Sequence, residues 1–85
     1  MATSELLGEI KSRLKRVHGN RLRGVVLYGS EARGEAEEGS DVDVLVLLAE
    51  PVDCGRDLET NLKALYPLSL EIGRRISAKP VSARE

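Results

Sequence analysis

Apolar residues recur near the start of the chain at Leu7, Ile10, Leu14 and Val17, spacings of three, four and three that wind one stripe along a helix. Leu6 widens the stripe, Thr3 or Ser4 is placed to cap it, and Glu5 falls in its first turn. Lys15, Arg16 and His18 gather where the helix dipole favours positive charge, and Gly19-Asn20 ends the run because both residues tolerate the left-handed conformation. The period then changes from helical to strand-like. Leu22 to Tyr28, with Val25-Val26-Leu27 at its centre, has the length and composition of a strand. Gly29-Ser30 breaks it and leads into a short helical turn through Arg33, followed by a polar loop from Gly34 to Gly39. A second strand runs from Asp41 to Leu48, with Val42, Val44, Val46 and Leu48 on one face and Asp43, Leu45 and Leu47 on the other. Beyond its acidic start this strand is apolar on both faces, the pattern of a central strand.

Pro51 and Gly55 mark a loop, and Asp57 is placed to cap or open a second helix along Leu58, Leu62, Leu65, Ser69 and Ile72. Pro67 should kink that helix or end it near Leu65, because proline removes one hydrogen bond and clashes with the preceding turn. Gly73 suits a C-cap. Arg74 to Val81 reads as a third strand, at an edge because of Lys79 and Pro80. The fold class is therefore α/β (α+β), in the order α-β-(short α)-β-α-β. A small mixed sheet of about three strands carries helices packed on one side, and residues 1–85 form a single domain.

Composition narrows the chemistry. There is no Phe or Trp, and Tyr28 and Tyr66 are the only aromatic residues, so the core is aliphatic and the stacking platforms of single-strand binders are missing. Direct nucleic-acid binding is not expected. Net charge is −1, yet Lys11, Arg13, Lys15, Arg16, Arg21 and Arg23 form a basic run, while Glu35, Glu37, Glu38, Asp41 and Asp43 form an acidic one. The basic run reads either as a solvated face or as a surface for a partner or phosphate. Cys54 is alone and so is His18, which excludes a disulfide framework and a Cys/His metal set and places His18 at a helix end. With no signal peptide and no membrane-length apolar run, a cytoplasmic protein without a membrane partner is expected.

Candidate chemistry concentrates between residues 29 and 46. Asp41 and Asp43 lie two residues apart, about 6.6 Å along an extended strand, and share a face. Carboxylates so placed converge on a hard divalent ion, and a two-metal site needs ions only about 3.5–4 Å apart. Gly29 has no side chain and Ser30 brings a hydroxyl, so both suit phosphates at a helical N-terminus. The bland alternative, loop residues and solubility, accounts for the same pattern. Neither a P-loop nor G-x-G-x-x-G is present.

Gly29-Ser30, ten residues and then Asp41-Val42-Asp43 resembles the signature of the polymerase-beta-type nucleotidyltransferase superfamily. Ala32-Arg33-Gly34, Ser40 and the apolar tail Val44-Leu45-Val46 resemble the form found in its small members, the minimal nucleotidyltransferases. The resemblance covers essentially the whole chain. It implies that Mg²⁺, or Mn²⁺ in its place, and ATP or another nucleoside triphosphate bind here, and that a nucleoside monophosphate passes to a hydroxyl. Asp41 and Asp43 would be metal ligands and catalytic residues; Gly29, Ser30, Arg33 and Ser40 would bind the nucleotide. Arg33 would contact phosphate or pin the acidic loop through Glu35 or Glu37. The resemblance also implies an antitoxin role beside a HEPN-domain toxin, with the basic first helix as one candidate face. A homo-oligomer is the other expected assembly.

One departure matters. Active members of this superfamily carry a third acid on the strand after the second long helix, and here that strand reads Arg74-Arg75-Ile76-Ser77-Ala78-Lys79. Glu71 is the nearest acid and the candidate third carboxylate; otherwise Arg74 or Arg75 would neutralise the acids or bind phosphate. An enzyme is one reading. A binding module that neutralises its partner by complex formation, or a nucleotide sensor, is the other. Relatives that modify antibiotics or tail RNA place the acceptor with a second domain, so here the acceptor is expected to come from a partner or a second copy, or to be absent.

Overall fold

A computed structural model describes residues 2–29, 32–34 and 39–84 of the chain. Helix α1 spans Thr3–His18, and a 3₁₀ turn over Gly19–Arg21 leads into strand β1, Leu22–Tyr28. Strand β2 is Val42–Leu48, helix α2 is Cys54–Ile72, and strand β3 is Ile76–Ser82. The sheet order is β1-β2-β3, so β2 is central, as its two apolar faces predict. β1 runs antiparallel to β2, and β3, reached through α2, runs parallel to it. This is the expected mixed α/β sheet of a polymerase-beta-like nucleotidyltransferase fold.

Both helices pack on one face of the sheet. Leu6, Ile10 and Leu14 of α1 and Leu65 and Leu68 of α2 close over Val42, Val44, Val46 and Leu48. Those four β2 residues have no exposed surface, and each such burial stabilises the fold by roughly 1.5–3 kcal/mol. Val25, Ile76 and Ala78 complete this core.

The helical stripes sit in a different register from the one the spacing predicts. In α1 the buried positions are Leu6, Ile10, Leu14 and His18, while Val17 is exposed. In α2 they are Asp57, Asn61, Leu65 and Leu68, while Leu58 and Leu62 face outward. Two polar residues displace leucines from the buried side because each finds partners there. Asn61 donates from Nδ2 to the Ala78 carbonyl at 3.0 Å, which leaves Oδ1 to accept from His18 Nε2 at 2.6 Å. Asp57 takes a forked pair of hydrogen bonds from Arg21, at 3.1 and 3.0 Å. Those hydrogen bonds hold its carboxyl below the usual carboxylate range, against the opposing effect of burial. Among the described residues, no buried side-chain nitrogen or oxygen lacks a partner.

Element ends show three further differences. Ala2, not Thr3 or Ser4, is the N-cap of α1, and its N–H donates to Glu5. Asp53 caps α2 by accepting from the Arg56 N–H at 2.9 Å, while Asp57 accepts from the Asp53 N–H at 3.0 Å. Helix α2 continues through Pro67 to Ile72. Pro67 lies on the exposed side, where the carbonyl it leaves unbonded can be hydrated. Gly73, left-handed at φ 66°, closes the helix as predicted.

Candidate active site

The sheet's second face carries the residues singled out between positions 29 and 46. Register partners in a sheet share a face, so Tyr28 of β1, Asp43 of β2 and Ser77 of β3 form one row across it. Asp43 is half-buried, and Asp41, just before the strand, is exposed. Their neighbour Val42 is fully buried on the helix side, which fixes which way the strand faces.

Gly29 and Asp43 make one structural unit. Gly29 has φ 72°, and a Cβ on it would lie 2.7 Å from Asp43 Oδ2, closer than a Cβ carbon comes to a non-bonded neighbour. Only glycine lets the carboxylate rest over the end of β1. Beyond it the Arg33 N–H donates to the Gly29 carbonyl at 3.2 Å, and the described residues 32–34 form a turn rather than a helix. Arg33 itself is exposed. Ser30, Glu35 and Glu37 lie outside the described residues, as does any contact of Arg33 with them.

The start of β2 is held by Arg74. Its Nε donates to the Ser40 carbonyl at 2.7 Å, and a guanidinium nitrogen approaches Ser40 Oγ at 3.5 Å. Ser69 Oγ donates to the Arg74 carbonyl at 2.6 Å, and the Val42 N–H donates to the Arg75 carbonyl at 2.8 Å. Asp41 therefore sits between two fixed residues. The sequence offers Arg74 as a countercharge or phosphate ligand, not as a clamp on Ser40. Its bond to Ser40 spans 34 positions of sequence, and no local pattern announces it.

Glu71 is not on the strand beside Asp43. It occupies the last turn of α2, where its carboxylate accepts from Arg13 of α1 at 3.1 Å. The place beside Asp43 belongs to Ser77, which alternation along β3 alone could not identify, because parallel register across α2 is a tertiary property. Among the described residues, no group of three or more His, Cys, Asp or Glu converges on one point. Asp41 and Asp43 are nonetheless a suitable donor set for a hard divalent ion, which typically takes one or two carboxylates and completes its shell with substrate phosphate and water. Glycine at position 29 leaves room for the Asp43 carboxylate itself, which lies directly beside the turn that ends β1.

Part of the basic run is used internally. Arg13 pairs with Glu9 and Glu71, and Arg21 with Asp57. Lys11, Lys15 and Arg23 line an open groove where α1 meets β1. Among the described residues, no helix is long and apolar enough to cross a membrane.

The arrangement, a Gly-turn set against an acidic strand in a mixed sheet with helices behind, defines the class. A sequence profile of the family described as "Nucleotidyltransferase domain" matches residues 4–80, and the chain belongs to that family. Members of the family act on nucleoside triphosphates with a divalent metal. Over 73 residues, 84% of this chain, it is 44% identical to a bifunctional uridylyltransferase/uridylyl-removing enzyme of Thiobacillus denitrificans, of which it covers 8%. Two candidate protein adenylyltransferases of Methanocaldococcus jannaschii are also similar. One is 42% identical over 59% of this chain and 50% of its own length, the other 33% identical over 78% and 66%. The chain thus spans between a twelfth and two thirds of the lengths of these relatives.

Proposed function

We propose that this chain binds a nucleoside triphosphate, ATP by preference, with Mg²⁺ at Asp41, Asp43 and Gly29, and transfers the nucleoside monophosphate to a hydroxyl of a protein. The observation that carries the reading is the packing of the Asp43 carboxylate against Gly29, which sets a metal-type carboxylate directly beside the glycine turn. Asp41 and Asp43 would hold the cation, which when bound neutralises phosphate charge and polarises the phosphorus centre. Gly29 lets the triphosphate lie against backbone, and Arg74, through Ser40, keeps Asp41 in place. In the transfer, the acceptor oxygen bonds to the α-phosphorus, the bond from that phosphorus to the bridging oxygen breaks, and pyrophosphate leaves. Ser77 is no base at neutral pH, so the hydroxyl proton passes to water. The adenylyl preference and the protein acceptor rest on the two M. jannaschii relatives.

We further propose a role as the modifying half of a two-gene pair whose partner is a HEPN-domain protein. Ser77 in place of an acid beside Asp43 favours a second reading, a module that neutralises that partner by binding alone.

The test is transfer of label from α-labelled ATP, with UTP in parallel, onto the product of the neighbouring gene. Transfer should require Mg²⁺ and fall at least a hundredfold in Asp41→Asn and Asp43→Asn. Absence of transfer with every nucleotide and metal, combined with neutralisation by both variants, would leave the binding module as the function.

A further inference from the structure

Strand β2 is patterned for burial on both faces, but the described chain covers only one of them. The open face is a grid built from the strand register. Its first row is Tyr28, Asp43 and Ser77; its second is Val26, Leu45 and Lys79; its third is Gly24, Leu47 and Val81. Val26 is 43% exposed and Tyr28 38%, while Leu45, Leu47 and Val81 are half-buried by one another. A one-sided sheet ordinarily places polar residues outward. This one places valine and leucine there. Gly24 adds a notch into which Leu47 leans, since a Cβ at position 24 would lie 3.2 Å from Leu47 Cδ1. Contiguous apolar surface beside a polar site marks a place of docking.

We infer that this face seats one amphipathic helix of the acceptor protein, laid along β2 so that its hydroxyl-bearing residue reaches the row of Asp43. The inference rests on the protein-acceptor reading above. Dimensions select the occupant. Three rows two residues apart span about 13 Å, and three strands about 10 Å, which matches the roughly 10 Å width of a helix. Even with a side-chain margin this is on the order of 300 Å², well short of the roughly 800 Å² per partner of a stable protein interface. A transient helix fits these dimensions; a second copy of the chain does not. Charge narrows it further. Lys79 is the only basic residue of the grid, at the flank of its middle row, so the helix should carry an acid there.

The row spacing also sets where the acceptor hydroxyl lies. A helix rises about 1.5 Å per residue, so apolar anchors at i and i+4 on the two apolar rows put residue i+8 on the row of Asp43. A helical peptide with leucines at i and i+4, a glutamate flanking the second leucine and tyrosine at i+8 is the probe. Methyl NMR of the full chain should show shifts at Val26, Leu45, Leu47 and Val81 without nucleotide. A scrambled peptide should produce none, and Leu45→Asp, checked by circular dichroism to remain folded, should weaken binding at least tenfold. With ATP and Mg²⁺, tyrosine at i+8 should accept label at least ten times faster than tyrosine at i+6. Three outcomes overturn the inference: equal shifts from striped and scrambled peptides, shifts confined to Leu58 and Leu62 on the outside of α2, or grid methyl signals that move with protein concentration alone. Docking is read without nucleotide, and nucleotide binding is read separately from the amides of Gly29 and Asp43. Peptide shifts without an ATP response would uphold the docking surface and sink the transferase reading.

Discussion

The two faces of the same three strands obey different rules. On the helix side Val42, Val44, Val46 and Leu48 are completely buried, and the polar residues admitted behind them, Asn61, His18 and Asp57, all have partners. On the other side leucines and valines stay partly in water beside two carboxylates. The first face is explained by folding. The second is not, because burial of Leu45 or Leu47 by the described chain contributes far less than burial of their neighbours. A residue's place on one or the other face, one step apart in sequence, separates what holds this domain together from what it does.

The sharpest way to break the contrast is to place the same change on adjacent residues. Val44→Asp would put an unpaired carboxylate in the core and should cost about 4 kcal/mol or more, enough to leave little folded protein in urea titrations. Leu45→Asp, one position on, should cost about 1 kcal/mol or less. Comparable losses at both sites would mean the second face is structural after all. A smaller effect is expected at Asn61. Asn61→Ala leaves the Ala78 carbonyl and the His18 Nε2 proton without their buried partner, for about 2–3 kcal/mol by the same titration, with no direct contact to the acidic face.

The smallest expected effect concerns pH. Asp57 has its folded-state pKa held below the ordinary value of 3.8 by Arg21, so its contribution is fully present above that value. It is lost as pH falls through the lower, folded-state value. Acid unfolding followed by circular dichroism should therefore be less steep in Asp57→Asn below pH 3.8 and unaltered in slope near neutrality. The gain is tempered because the Arg21 side chain is 39% exposed and its charge is screened.

Much of this contrast is written in the sequence. Strand β1 and the central place of β2 follow from local periodicity, and Gly29, Asp41 and Asp43 follow from residue type and spacing. The helical registers do not. Leu58 and Leu62 are the natural core residues by hydropathy, and only tertiary partners, Arg21 for Asp57 and His18 for Asn61, turn the helix the other way. Ser77 beside Asp43 was hidden for a similar reason, since the register of β3 is set by how α2 crosses the sheet.

The bond from Arg74 to Ser40 also bears on the order in which the molecule assembles. A β1–β2 hairpin can form from neighbouring sequence, but the clamp that orders Ser40, and the β3 N-terminus that receives the Val42 N–H, arrive only after α2 has been laid down. Contacts between residues so far apart close a long loop and are expected late in folding. The acidic end of β2 is thus the last part of the strand to be organised. A nascent chain has its hairpin before it has its site.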